Sequence, residues 1–231
     1  MIEDIRNSKN LSVYLEQLEE VKARLSFVSA YSNEEKDRFV IESCALQIRK
    51  LIELIAFSLI AIHRIRYEDY RDKAGKDFRN DWNGRDIITN IMSLNPDMFF
   101  RAAENGFNIQ DDGAKQVQLK PEKDCYTLKR LAKLHSRCGG VLHVENPWKK
   151  SSKVEQFHNE LPSIIRKLSN TLQDHVILVN HWDSNESTVL LFTLGSRGQK
   201  PTYALAQAPG NFAFESAPLW QDSCHPLIST R

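Results

Sequence analysis

No other segment of this protein concentrates side chains that could do chemistry as residues 130–148 do, reading RLAKLHSRCGGVLHVENPW. The segment holds Arg130, His135, Arg137, Cys138 and His143, with a Gly139-Gly140 pair between the last two and an Asn146-Pro147 step behind them. Five residues separate Arg137 from His143, and four separate Arg130 from His135. A guanidinium stays charged and binds phosphate oxygens with a planar fork, while an imidazole transfers protons near pH 7. Such a pair suits phosphate chemistry. The same residues also permit two other readings. His135, Cys138 and His143 give H-x2-C-x4-H, which with Cys125 could ligate zinc in a purely structural role. Cys138 beside either histidine could act as a nucleophile, although no familiar signature surrounds it.

The elements that must position these residues are mainly helical. Leu11, Tyr14, Leu18, Val21, Leu25 and Val28 recur at steps of three and four, the stripe of an amphipathic helix. Ser32-Asn33-Glu34-Glu35 reads as the start of a second helix, expected over about 33–66. Its seam is Val40, Cys44, Ile48, Leu51, Ile55, Leu59 and Ile62, and the two helices make a long antiparallel hairpin. The charged stretch 67–85 reads as an exposed connector or a frayed helix end, 86–94 as a short helix ended by Asn95-Pro96, and 106–121 as a loop, with Phe99 and Phe100 covering the bundle. Helix returns over about 122–137, where Gly139-Gly140 is expected to bend or break it. A further stripe runs from Val154 to Leu172, restarting or kinking at Pro162. The runs 176–179, 187–194 and 202–206 then read as a small antiparallel β-meander. The expectation is a mainly α, α+β protein: a helical bundle over 1–173 and a β-element with its tail over 174–231.

Composition narrows the partners. The 231 residues are 41% hydrophobic and 26% charged, ordinary for a globular protein, and the net charge of +1 singles out no partner. Charge is uneven along the chain, however. Residues 115–167 carry twelve Lys or Arg against five Asp or Glu, so the Arg/His segment sits in a basic middle suited to an anionic substrate. The four cysteines form no CxxC pair or disulfide framework, which points to a reducing compartment. The N-terminus shows no secretory signal, and the most apolar run, 51–62, is too short to span a membrane and contains Glu53. A cytoplasmic location with no membrane contact follows as the expectation. No Walker loop, GxGxxG, HExxH or GxSxG is present.

The stretch Arg137-Cys-Gly-Gly-Val-Leu-His143 resembles the R-x(4–6)-H motif of the HEPN superfamily of helical ribonucleases, and Arg130-Leu-Ala-Lys-Leu-His135 satisfies the same pattern. The resemblance extends over the preceding helical hairpin, roughly residues 10–145. It departs from the family at Cys138, or Leu131, where a polar residue commonly follows the arginine, and at the glycine pair. It implies a metal-independent endoribonuclease without a cofactor, a site shared between two protomers of a homodimer, and a role in defence or stress, with a regulatory protein partner compatible with that role. Arg137 and His143 are then the catalytic pair. Glu145, Asn146, Arg130, His135, Lys149 and Lys150 support it or bind RNA, and Trp148 offers a ring for a base. Because many members of that superfamily are noncatalytic, a helical module that binds RNA or protein is the alternative.

Overall fold

A computed structural model describes residues 9–31, 37–94, 100–109, 111, 115–144, 146–148, 152–180, 186–196, 198–209 and 227–228. The fold is mainly α and α+β overall, and the chain divides into two compact units. Met1–Pro96 and Leu128–Leu168 form a helical unit; Asp97–Thr127 and Ser169–Arg231 form a sheet unit. The chain therefore passes between units three times, in place of the single boundary expected after residue 173. The cause is a pair of strands inserted between helices.

In the helical unit, α1 (Lys9–Tyr31) buries all six residues of its expected stripe. It packs along α2 (Arg38–Ile62), whose buried seam includes Cys44, Ile48, Leu51, Ile55 and Leu59. At 1.5 Å per residue α2 is about 37 Å long. Its N-cap is Asp37, whose Oδ1 accepts from Phe39 N at 2.8 Å. The expected start at Ser32–Glu35 lies outside the described residues. α2 stops at His63, without glycine or proline, and α3 (Arg64–Lys73) begins at the next residue.

The stretch 67–85 is neither the exposed connector nor the frayed helix end expected of it: it begins within α3. Tyr67 is fully buried, and its hydroxyl donates to Asp81 Oδ2 at 2.8 Å. Arg71 Nη2 meets the other oxygen of Asp81 at 2.5 Å. A 3-10 turn (Phe78–Asn80) leads into α4 (Gly84–Leu94), which is capped by Asn83: its Oδ1 accepts from Arg85 N at 3.0 Å. α4 packs on both α2 and α5 (Leu128–Leu142), and α5 also packs on α2. α6 (Lys153–Leu172) runs as one helix through Pro162, so it does not restart there; Pro162 sits on the exposed face. No described helix is long and apolar enough to cross a membrane.

The sheet unit holds an antiparallel sheet of order β5-β4-β3-β1-β2-β6. The strands are β1 (Phe100–Ile109), β2 (Lys115–Leu119), β3 (Asp174–Asn180), β4 (Glu186–Thr193), β5 (Thr202–Pro209) and β6 (Leu227–Ile228). The expected meander is β3-β4-β5. The stretch expected as a cover and a loop is β1 and β2, with β1 pairing Phe100 to Ile177. Gly106, at φ +68°, lies in a register shift between Glu104 and Asn108, a bulge that only a residue tolerant of positive φ makes cheaply. Alternation buries both faces of the central strands. Val176, Leu178, Val189 and Leu191 join one cluster, and His175 on the opposite face stacks on Phe192.

Candidate functional site

Helix phase sorts the sequence motif. Along α5, Leu128, Leu131, Leu134, His135, Cys138, Gly139 and Val141 are buried, whereas Lys129, Arg130, Lys133, Ser136 and Arg137 are exposed. Arg130 and His135 therefore face opposite ways: the arginine meets solvent and the imidazole enters the bundle.

There His135, 2% exposed, finds a partner that its own segment does not contain. Its Nε2 lies 2.9 Å from Glu53 Oε1 on α2, and Arg49 Nε, one turn earlier on α2, lies 3.1 Å from the same oxygen. A carboxylate only accepts, so Nε2 carries the hydrogen. Burial lowers the His135 pKa, and the Arg49 and Arg85 charges act the same way, while the bond to Glu53 works against them. The ring is a neutral donor that ties α5 to α2.

Two glycines make room for this node. A Cβ at Gly139 would stand 2.7 Å from Arg49 Nη1, and one at Gly84 would stand 2.9 Å from Glu53 Cγ and 3.1 Å from its Cα. The expected helix break at Gly139-Gly140 is absent, because α5 is continuous through both. Gly139 serves close packing of a guanidinium, and α5 has no break there.

The favoured pair lies outside. Arg137 Nη1 reaches Glu160 Oε2 on α6 at 3.0 Å, in an exposed ion pair. His143 is exposed, one residue past the end of α5. Asn146 is exposed and spends its Oδ1 on the Trp148 backbone N–H at 3.0 Å, closing its own turn. Trp148 is 91% exposed. Glu145, Lys149 and Lys150 lie outside the described residues.

The zinc reading does not assemble. Among the described residues no three His, Cys, Asp or Glu side chains converge as metal ligands. His135 is committed to Glu53, His143 faces solvent, and Cys125 belongs to the sheet unit. Cys138 is buried and unsuited to nucleophilic attack, since burial pushes its thiol up to about 12.

Sequence reasoning missed Glu53, Arg49 and Gly84 as members of one cluster. The usable signal was Glu53 itself, the carboxylate inside the apolar run 51–62, with Arg49 four residues before it. Compared with protein-family models, curated proteins and solved structures, the chain matches none.

Proposed function

We propose that the helical unit acts on RNA through the exposed face of α5 and the turn after it, as a metal-independent endoribonuclease in the cytoplasm. The charge of that face carries the reading. Lys129, Arg130, Lys133 and Arg137 are all exposed, and α5 contains no carboxylate. Clustered cations of this kind bind a phosphate backbone through counterion release. The choice of RNA, the homodimer and a role in defence rest on the HEPN resemblance.

His143 is the proton-transfer group. In the proposed step His143 takes the 2′-hydroxyl proton as that oxygen attacks phosphorus, the bond from phosphorus to the 5′-oxygen breaks, and His143 returns the proton to the departing oxygen. Arg137 binds the non-bridging oxygens as their charge grows. Six residues apart on a straight helix, the two point about 120° from one another. The reading therefore pairs Arg137 of one protomer with His143 of its partner.

One observation favours a second reading, an RNA-binding module without catalysis: Arg137 is already engaged by Glu160. Incubating the full chain with single-stranded RNA in a chelator separates the two. Cleavage is expected, and Arg137→Ala and His143→Ala should each lower it about a hundredfold or more. The double variant Lys129→Ala/Lys133→Ala should weaken RNA binding and flatten its salt dependence by about two phosphate contacts. Salt-dependent binding with no cleavage selects the module. Absence of binding at low salt sinks both readings.

A further inference from the structure

The helical unit holds a second polar site, lined by residues outside the 130–148 segment. A cavity of about 340 Å³ opens between the end of α3, the 3-10 turn and the start of α4. This lies at the small end of the roughly 300–1,000 Å³ range of ligand sites, room for one ring system and little more. Trp82 lines it and is 71% exposed, an aromatic face that no core residue covers.

The walls are fixed before any ligand arrives. Asp81 is held by both Tyr67 and Arg71, Asp77 caps the 3-10 turn through Arg79 N at 2.9 Å, and Asn83 caps α4. Trp82 thus sits between two anchored neighbours. Such preorganisation reduces the ordering cost of binding.

The hydrogen-bonding capacity left over is mixed: neutral amides stand beside the charged groups of Arg71, Lys76 and Asp86. Asn83 spends its Oδ1 on backbone N–H groups, leaving its amide NH₂; Asn90 donates to Tyr67 Oη at 3.4 Å, leaving its Oδ1; the Asn80 side chain forms no bond among the described residues. The charged lining balances, with Arg71 and Lys76 against Asp81 and Asp86. This environment selects neither a polyanion nor a cation. It fits a flat, neutral heterocycle that stacks on an indole and presents donors and acceptors on its edge.

We propose that this cavity binds one nucleobase, stacked on Trp82 and read by the Asn80, Asn83 and Asn90 amides. The base belongs either to a free nucleoside or to an unpaired RNA residue. The proposal does not depend on cleavage at α5.

The test is titration of the full chain with adenosine, guanosine, cytidine and uridine, and with a single-stranded RNA 10-mer, by calorimetry. At least one nucleoside should bind. Trp82→Ala should weaken it about tenfold or more, the loss of one stack. Asn80→Ala should change the ranking of the four bases. Both positions are exposed, and an unchanged thermal midpoint confirms folding. A parallel loss of 10-mer affinity in Trp82→Ala identifies the base as part of RNA; an unchanged 10-mer affinity identifies a free nucleoside. Lys129→Ala/Lys133→Ala should leave nucleoside binding intact, so failure of the α5 reading is distinguishable from failure here. No nucleoside binding at millimolar concentration, or equal binding by wild type and Trp82→Ala, overturns the proposal.

Discussion

The two faces of α5 carry similar residues to opposite ends. On the inner face, His135 is locked to Glu53, which Arg49 also holds, and burial lowers its pKa. On the outer face, Arg137 and the neighbouring cations meet solvent, and His143 follows at the helix end. Residue type alone does not separate a buried structural histidine from a solvent-facing one. What separates them is the rotation of 100° per residue and what lies across the interface.

The comparison can be broken by substitution. Leu131 on the inner face is fully buried, and Leu131→Ala should cost about 3 kcal/mol of stability by chemical denaturation. Its neighbour on the outer face, Lys133→Ala, should cost less than about 0.5 kcal/mol. Equal costs would mean that α5 is oriented differently.

Burial should also make a histidine acid-sensitive, most clearly at His175 in the sheet unit. Its ring is enclosed by Phe100 and Phe192, with Nδ1 facing the Leu172 carbonyl at 3.1 Å. Burial lowers its pKa from 6.5 to about 4, and the bond to the Leu172 carbonyl opposes that. The unfolded chain then takes up a proton first as the pH falls. Stability is complete above about pH 6.5 and declines toward pH 4, by on the order of 3 kcal/mol at roughly 1.4 kcal/mol per pKa unit. His63, likewise lowered to about 4 by burial and then by Arg66, adds to the decline. His175→Gln should flatten part of the pH profile; an unaltered profile would show that this ring does not set it.

The inner node gives an intermediate effect. Gly84→Ala forces α4 away from the Glu53 backbone and should cost about 2 kcal/mol, read from the thermal midpoint. Smallest of all is the outer ion pair. Arg137→Ala and Glu160→Ala should each change stability by less than about 0.5 kcal/mol, since both partners are exposed. If Arg137→Ala proved strongly destabilising, its proposed role toward RNA would lose its footing.

Much of the helical unit was legible from period alone. All six residues named on α1 are buried, as are the central five of the α2 seam, because a stripe at steps of three and four has only one way to leave water. The meander strands were legible from β-branched and apolar runs. β1 was not: its FRAAENGFNI sequence has weak strand propensity and is held by pairing with β3 and β2. The connector over 67–85 was misread for a related reason. Its charges form partners with one another, Arg71 with Asp81 above all, and Tyr67 among them is buried.

The sequence by itself determined the helical stripes, the basic character of α5 and the presence of the Arg and His side chains, since these are local properties of composition and spacing. Tertiary structure alone decided which histidine faces inward. It placed Glu53, 82 residues away in sequence, against His135, and it gave Gly139 a packing role inside a continuous helix. Those outcomes depend on contacts between distant segments, where burial and the need to pair each polar group set the arrangement.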